Sequence, residues 1–75
     1  MRELMIGVAD TQKDTCFAYY NTVKIPEKHK VRDIARMLAR ACLDHQSFVF
    51  ASFPKGTSWD IADKKMEKLW AKHHK

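Results

Sequence analysis

Near the amino terminus, Leu4-Met5-Ile6-Gly7-Val8-Ala9 is apolar without helical spacing, and the polar cluster Asp10-Thr11-Gln12-Lys13-Asp14 follows it. This pattern predicts a strand that ends in a turn. From Thr15 to Ile25 aromatic and β-branched residues dominate. Phe17, Tyr19, Val23 and Ile25 share one face, and Cys16, Ala18, Tyr20, Thr22 and Lys24 the other, as a second strand requires. The two strands are expected to form an antiparallel hairpin. Pro26 lacks a backbone donor and biases Ile25 toward an extended conformation, so the strand should stop there and pass into Glu27-Lys28-His29-Lys30.

The period then changes. Val31, Ile34, Ala35, Leu38, Ala41 and Cys42 line one side of a helix that can run to Asp44, with Arg32, Arg36 and Arg40 on the opposite side. Ser47 to Phe53 reads as a strand with Phe48 and Phe50 on one face and Val49, Ala51 and Phe53 on the other. It is too apolar for an exposed edge, so it is expected at the sheet's centre. Pro54-Lys55-Gly56 predicts a turn. Thr57 or Ser58 can cap a second helix, Asp60 suits its first turn, and Ala62, Met66, Leu69 and Trp70 make its apolar stripe. The expected fold is α+β, a small three-stranded sheet with two helices in the order β-β-α-β-α, the helices packed on one face. A right-handed crossover through the first helix would set the third strand parallel to the second and beside the first. No repeat, linker or low-complexity segment divides residues 1–75, so one domain is expected.

Composition narrows the class. The 75 residues are 45% hydrophobic and 31% charged, enough apolar surface to offset chain entropy and to argue against wholesale disorder. Four Phe, two Trp, two Tyr and four Met are generous for one small core and leave material for a homodimer contact. The net charge of +5 favours phosphates, acidic proteins or anionic lipid as partners over basic surfaces. The excess lies in the helical segments: six cations stand against three acids from Lys24 to His45, and five against three from Thr57 to Lys75. Two cysteines do not make a disulfide scaffold, and Leu4 to Ala9 is too short for a signal core or a membrane span. Reduced thiols in the cytoplasm are the expectation.

Candidate chemistry is sparse. Arg32, Arg36 and Arg40, four residues apart, form a guanidinium ridge about 12 Å long that could hold phosphates, with Lys24, Lys28 and Lys30 widening it. A solvated face is the plainer account, since Asp33 can pair with Arg36 and Asp44 with Arg40. Lys64, Lys65, Lys68, Lys72 and Lys75 give the last helix a cationic face suited to nucleic acid, an anionic membrane or an acidic groove, although a helix covering its own sheet looks the same. Phe17, Tyr19, Tyr20, Phe48 and Phe50 could stack on unpaired bases, but the core needs most of them. Tyr20, Trp59 and Trp70 are the best candidates for an exposed aromatic anchor, Trp59 because it begins the last helix away from the clearest apolar stripe.

Pro54-Lys55-Gly56-Thr57-Ser58 has donors for an anion, yet a turn and a helix cap explain it more economically. Cys42 and His45, with Cys16, invite a zinc site but lack paired ligand spacing, and His73-His74 falls at a terminus expected to fray, so no metal or cofactor is expected. His29 or His45 would need a cleft to serve catalysis, for which so short a chain has little room, and no enzyme is expected. No stretch carries a signature from which site residues could be transferred.

Two functions compete on these residues. One is a small basic domain contacting nucleic-acid phosphates through Lys28, Lys30, Arg32, Arg36, Arg40, Lys64, Lys68 and Lys72. The other is a modulator or inhibitor, such as a phage, plasmid or bacterial accessory protein, docking on an acidic surface of a larger host protein through an aromatic anchor and a charged rim. One continuous exposed face joining the arginines to Lys68 and Lys72 favours the first; exposed aromatics dominating the surface favour the second.

Overall fold

The computed structural model describes residues 2–43 and 47–74. Five elements follow in the expected order: β1 (Arg2–Asp10), β2 (Ala18–Ile25), α1 (Val31–Cys42), β3 (Phe48–Pro54) and α2 (Trp59–His73). The sheet order is β2-β1-β3, and β1 is antiparallel to both neighbours. β2 and β3 therefore run parallel to each other with β1 between them, as the crossover through α1 requires.

Two expectations are corrected by this arrangement. β1, not β3, is the central strand, and the helices cover opposite faces of the sheet instead of sharing one. The reason lies in the two parities of β1. Met5 and Ala9 pack with Val49, Ala51 and Phe53 under Ala62 and Met66 of α2, whereas Ile6 and Val8 pack with Ile25 under Ala35 and Ala39 of α1. A strand apolar on both faces needs a cover on each. β3 is equally two-faced, with Phe48 and Phe50 on the α1 side, so its apolarity reflects two helical covers and not two flanking strands. Ile6, Val8, Ile25 and Met66 are fully buried, each contributing about 1.5–3 kcal/mol of transfer free energy.

α1 packs through Val31, Ile34, Ala35, Leu38 and Ala39, with Leu43 following its end. Ala39 continues the step from Val31 and Ala35, whereas the expected Ala41 falls off this stripe and Cys42 is exposed at the last residue of the helix. The stripe of α2 is as expected: Ala62 and Met66 are buried, and Leu69 and Trp70 pack against the same cluster. Ser58 caps it, its Oγ accepting from the Asp60 N–H at 3.3 Å.

Gly7 lets one tertiary contact form. It pairs with Tyr20 across β1 and β2, and a Cβ there would lie 2.7 Å from Cε1 of the Tyr20 ring and 3.3 Å from Sδ of Met66. The tyrosine ring thus lies across the glycine, as close approach in a strand interior requires.

Candidate functional site

The candidate cations are exposed but divided between two layers. Lys28, Lys30, Arg32, Arg36 and Arg40 belong to α1 and the loop before it; Lys64, Lys68 and Lys72 belong to α2. Among the described residues the ion pair within 4 Å joins Lys55 to Glu3, at 2.8 Å, so Asp33 does not neutralise Arg36. Asp44, His45 and Lys75 lie outside the described residues, and with them the expected pairing of Asp44 and the histidine of the zinc and catalytic readings.

α2 sorts its charges by flank. On one side Asp63 accepts a hydrogen bond from the Tyr20 hydroxyl of β2, and Glu67 and Asp63 lie near enough to Cys16 to push its thiol pKa upward, after the larger effect of burial. On the other side Lys65 stands 5.5 Å from the centroid of the Phe53 ring of β3, a cation–π contact. Lys72, two turns on from Lys65, shares that flank, Lys68 lies beside it, and Lys64 falls opposite buried Ala62.

The same contacts fix the hand of the fold. α2 returns from β3 with Asp63 toward β2 and Lys65 toward β3, which a right-handed helix achieves on this face only if the β2-α1-β3 crossover is right-handed. On the opposite face the ridge turns from Arg32 at the side of α1 to Arg40 directly away from the packed stripe of Val31, Ile34, Ala35, Leu38 and Ala39. The cations on the side of the β3 edge are therefore those of α2, Lys65 and Lys72.

Along that edge lies an open groove of about 450 Å³ whose walls include Thr11, Ser47, Phe48, Phe50, Leu69 and His73. No sequence motif marked it, because it arises where a strand edge meets a helix distant in the chain. Its end is tied down: the Thr11 N–H donates to the Ser47 carbonyl at 3.2 Å, and Gln12 reaches the Ser47 hydroxyl. His74, expected at a frayed end, instead stacks on Trp70 at 4.1 Å and places Nδ1 3.0 Å from the Thr11 carbonyl.

The three expected aromatics fare differently, and Trp70 packs against the core on the α2 side. Tyr20 is half-buried and bonded to Asp63; burial, with that bond second, raises its phenol pKa well above the ordinary value. Trp59 is 68% exposed, with its ring 6.0 Å from that of Tyr20. Phe17 and Tyr19, also on the surface, pack edge to face at 5.1 Å on the α1 side of β2, and Met37 and Ile61 add exposed apolar area on the helices. Phe48 and Phe50 are half-buried against the α1 cluster.

Elsewhere the candidates are occupied with structure. Thr57 donates its hydroxyl to the Pro54 carbonyl at 2.6 Å, Ser58 caps α2 and Lys55 holds Glu3. Asp10, 2% exposed, accepts from the Gln12 N–H at 2.8 Å and shapes the turn after β1; its Oδ2 has no partner among the described residues. Cys16 packs under α2 while Cys42 lies on α1 across the sheet, so the two thiols occupy different layers. Among the described residues no group of three metal-ligating side chains forms, and no helix is long and apolar enough to cross a membrane.

No family model, no curated protein and no solved structure matches the chain.

Proposed function

We propose that this protein is a non-enzymatic binding domain of the cytoplasm whose partner is an acidic protein. One observation carries the reading: Lys65 and Lys72 of α2 lie on the side of the β3 edge, beside an apolar-walled groove, with Asp63 bonded toward the β2 edge. Exposed Trp59, Ile61, Met37 and Phe17 supply further apolar contact area of the kind protein interfaces use. Nucleic acid suits the same geometry less well. Its phosphates would have to span arginines and lysines separated by the thickness of the sheet, and three rings suited to base stacking, Tyr20, Phe48 and Phe50, are half-buried in packing. The exposed ridge of Arg32, Arg36 and Arg40 keeps it as the second reading.

Fluorescence anisotropy separates the two. Labelled Glu- and Asp-rich peptides and short single- and double-stranded DNA and RNA are titrated with the protein at several salt concentrations. The acidic-partner reading expects peptide binding that persists at about 0.15 M salt and oligonucleotide binding that has vanished there. Oligonucleotide binding that survives at that salt, with Arg36→Ala flattening the slope of log affinity against log salt by about one unit, would replace it with the nucleic-acid reading.

A further inference from the structure

We infer that the outer edge of β3 accepts an extended acidic segment of the partner as a fourth strand, antiparallel or parallel to β3, with its carboxylates of one parity reaching Lys65 and Lys72 of α2. The inference rests on the acidic-partner reading and assigns it a place and a conformation.

The backbone supplies the first element. The Thr11 to Ser47 bond continues the β1–β3 register, and in an antiparallel ladder every second pair exchanges hydrogen bonds. Val49, Ala51 and Phe53 therefore turn their N–H and C=O groups toward β1, while Phe50 and Ser52 turn theirs outward. Among the described residues no strand pairs with that side of β3. An extended chain laid there finds donors and acceptors already aligned, which is how strand addition gains affinity.

The side chains supply the second. In an added strand successive residues point to opposite faces, so one parity meets Lys65 and Lys72 on the α2 flank and the other lies on the α1 face. Acidic residues of the α2-facing parity would be neutralised. Apolar ones would fall into the groove beside Phe48, Phe50 and Leu69. Two acids of α2 turn elsewhere: Asp63 bonds Tyr20 of β2, and Glu67 lies toward Cys16.

Charge also argues against a second copy as the occupant. Pairing two β3 edges about a two-fold axis normal to the sheet would set both α2 helices side by side on one face, with Lys65 and Lys72 of one copy facing those of the other. A basic edge resists its own duplicate and selects an acidic strand.

The test uses the whole chain and a capped ten-residue peptide of alternating Glu with Val or Thr, read by anisotropy and by amide exchange of the protein. Micromolar binding with slowed exchange at Phe50 and Ser52 is expected. Methylating alternate amide nitrogens of the peptide should weaken binding at least about tenfold for one parity, which removes donors facing β3, and leave the other parity close to unchanged. Ser52→Pro removes one outward N–H without touching the bonds to β1 and should weaken binding several-fold while the protein still unfolds cooperatively. A peptide with Lys in place of Glu should not bind.

Tight binding that ignores both methylation patterns would overturn strand addition and leave the acidic-partner reading standing on charge alone. If this peptide fails to bind while other acidic peptides bind, strand addition falls and the reading survives; if no acidic peptide binds and oligonucleotides do, both fall. Concentration-dependent dimers blocked by Ser52→Pro would assign the edge to a second copy and overturn the inference.

Discussion

The two edges of the sheet solve one problem in opposite ways. At β2, Tyr20 spans from the strand to Asp63 of α2, its ring lying across Gly7 and beside Trp59. The strand is pinned to its helix, and the α2 charges on this side, Asp63 and Glu67, are acidic. Among the described residues no side chain makes such a clamp at β3: a groove stays open there, and Lys65 and Lys72 of α2 stand on that side. Exposed strand edges invite pairing, and proteins limit this with charge, covers or short strands. Here one edge is tied down from the side while the other is open but charged, which admits only a partner of opposite sign. One helix, α2, serves both because its acidic residues 63 and 67 and its basic residues 65 and 72 fall on opposite flanks.

The sharpest way to break the comparison is to remove the clamp from beneath. Gly7→Ala would place a methyl group 2.7 Å from the Tyr20 ring and 3.3 Å from the Met66 sulfur. A rigid ring wedged between strand and helix cannot give way without moving its neighbours, so a loss of about 1–3 kcal/mol is expected in denaturant unfolding. Stability equal to that of the parent would mean that Tyr20 swings out at little cost and that the β2 edge is no better secured than β3.

Tyr20→Phe is milder and keeps the packing. It deletes the hydroxyl bonded to Asp63 and should cost about 1 kcal/mol at neutral pH. Its clearer mark is in alkali. Burial and the Asp63 bond raise the folded-state pKa of Tyr20, so above about pH 10 the unfolded chain loses the phenol proton first. The stabilisation is complete below that pH and declines as pH rises through the window between the unfolded and folded values. Cys16, raised by burial and by Glu67 and Asp63, acts in the same direction from slightly lower pH. Stability measured from pH 8 to 11 should therefore fall less steeply in Tyr20→Phe than in the parent, with the remaining slope set in part by Cys16. Equal slopes would show that the phenol is not held by Asp63.

Much of the fold was legible because it depends on short-range pattern. The parity of Tyr19 against Tyr20, the stripe from Ala62 to Trp70 and the Ser58 cap are all local statements, and each is found in place. Legibility ended at the layers. The run from Leu4 to Ala9 reads as one apolar strand, although its apolarity at both parities already contains the demand for a helix on each face. β3 looks central in the sequence for the same reason, since burial by two helices and burial between two strands leave one composition. The site was less legible still. Arg32, Arg36 and Arg40 could be seen as a ridge, but the direction of the ridge depends on the hand of the crossover, and the groove joins Thr11, Phe50 and His73 from three distant stretches.

The smallest expected effect on stability falls at β3, and its smallness is informative. Lys65 is exposed and its contact with Phe53 is 5.5 Å long, so Lys65→Ala should cost no more than about 0.5–1 kcal/mol of folding free energy. A second change, Lys72→Ala, should add almost nothing, because an exposed cation with no ion pair among the described residues stabilises little. The same double variant should weaken binding of the alternating acidic peptide by about tenfold and reduce its salt dependence, since two charges that add little to the fold would be meeting the partner. At β2 the balance is reversed: Tyr20→Phe costs stability and leaves peptide affinity within about twofold. Opposite outcomes at the two edges would establish the division between a pinned edge and a receptive one. Similar losses of binding from both variants would mean that the peptide is held by the protein's overall field and not by the β3 edge.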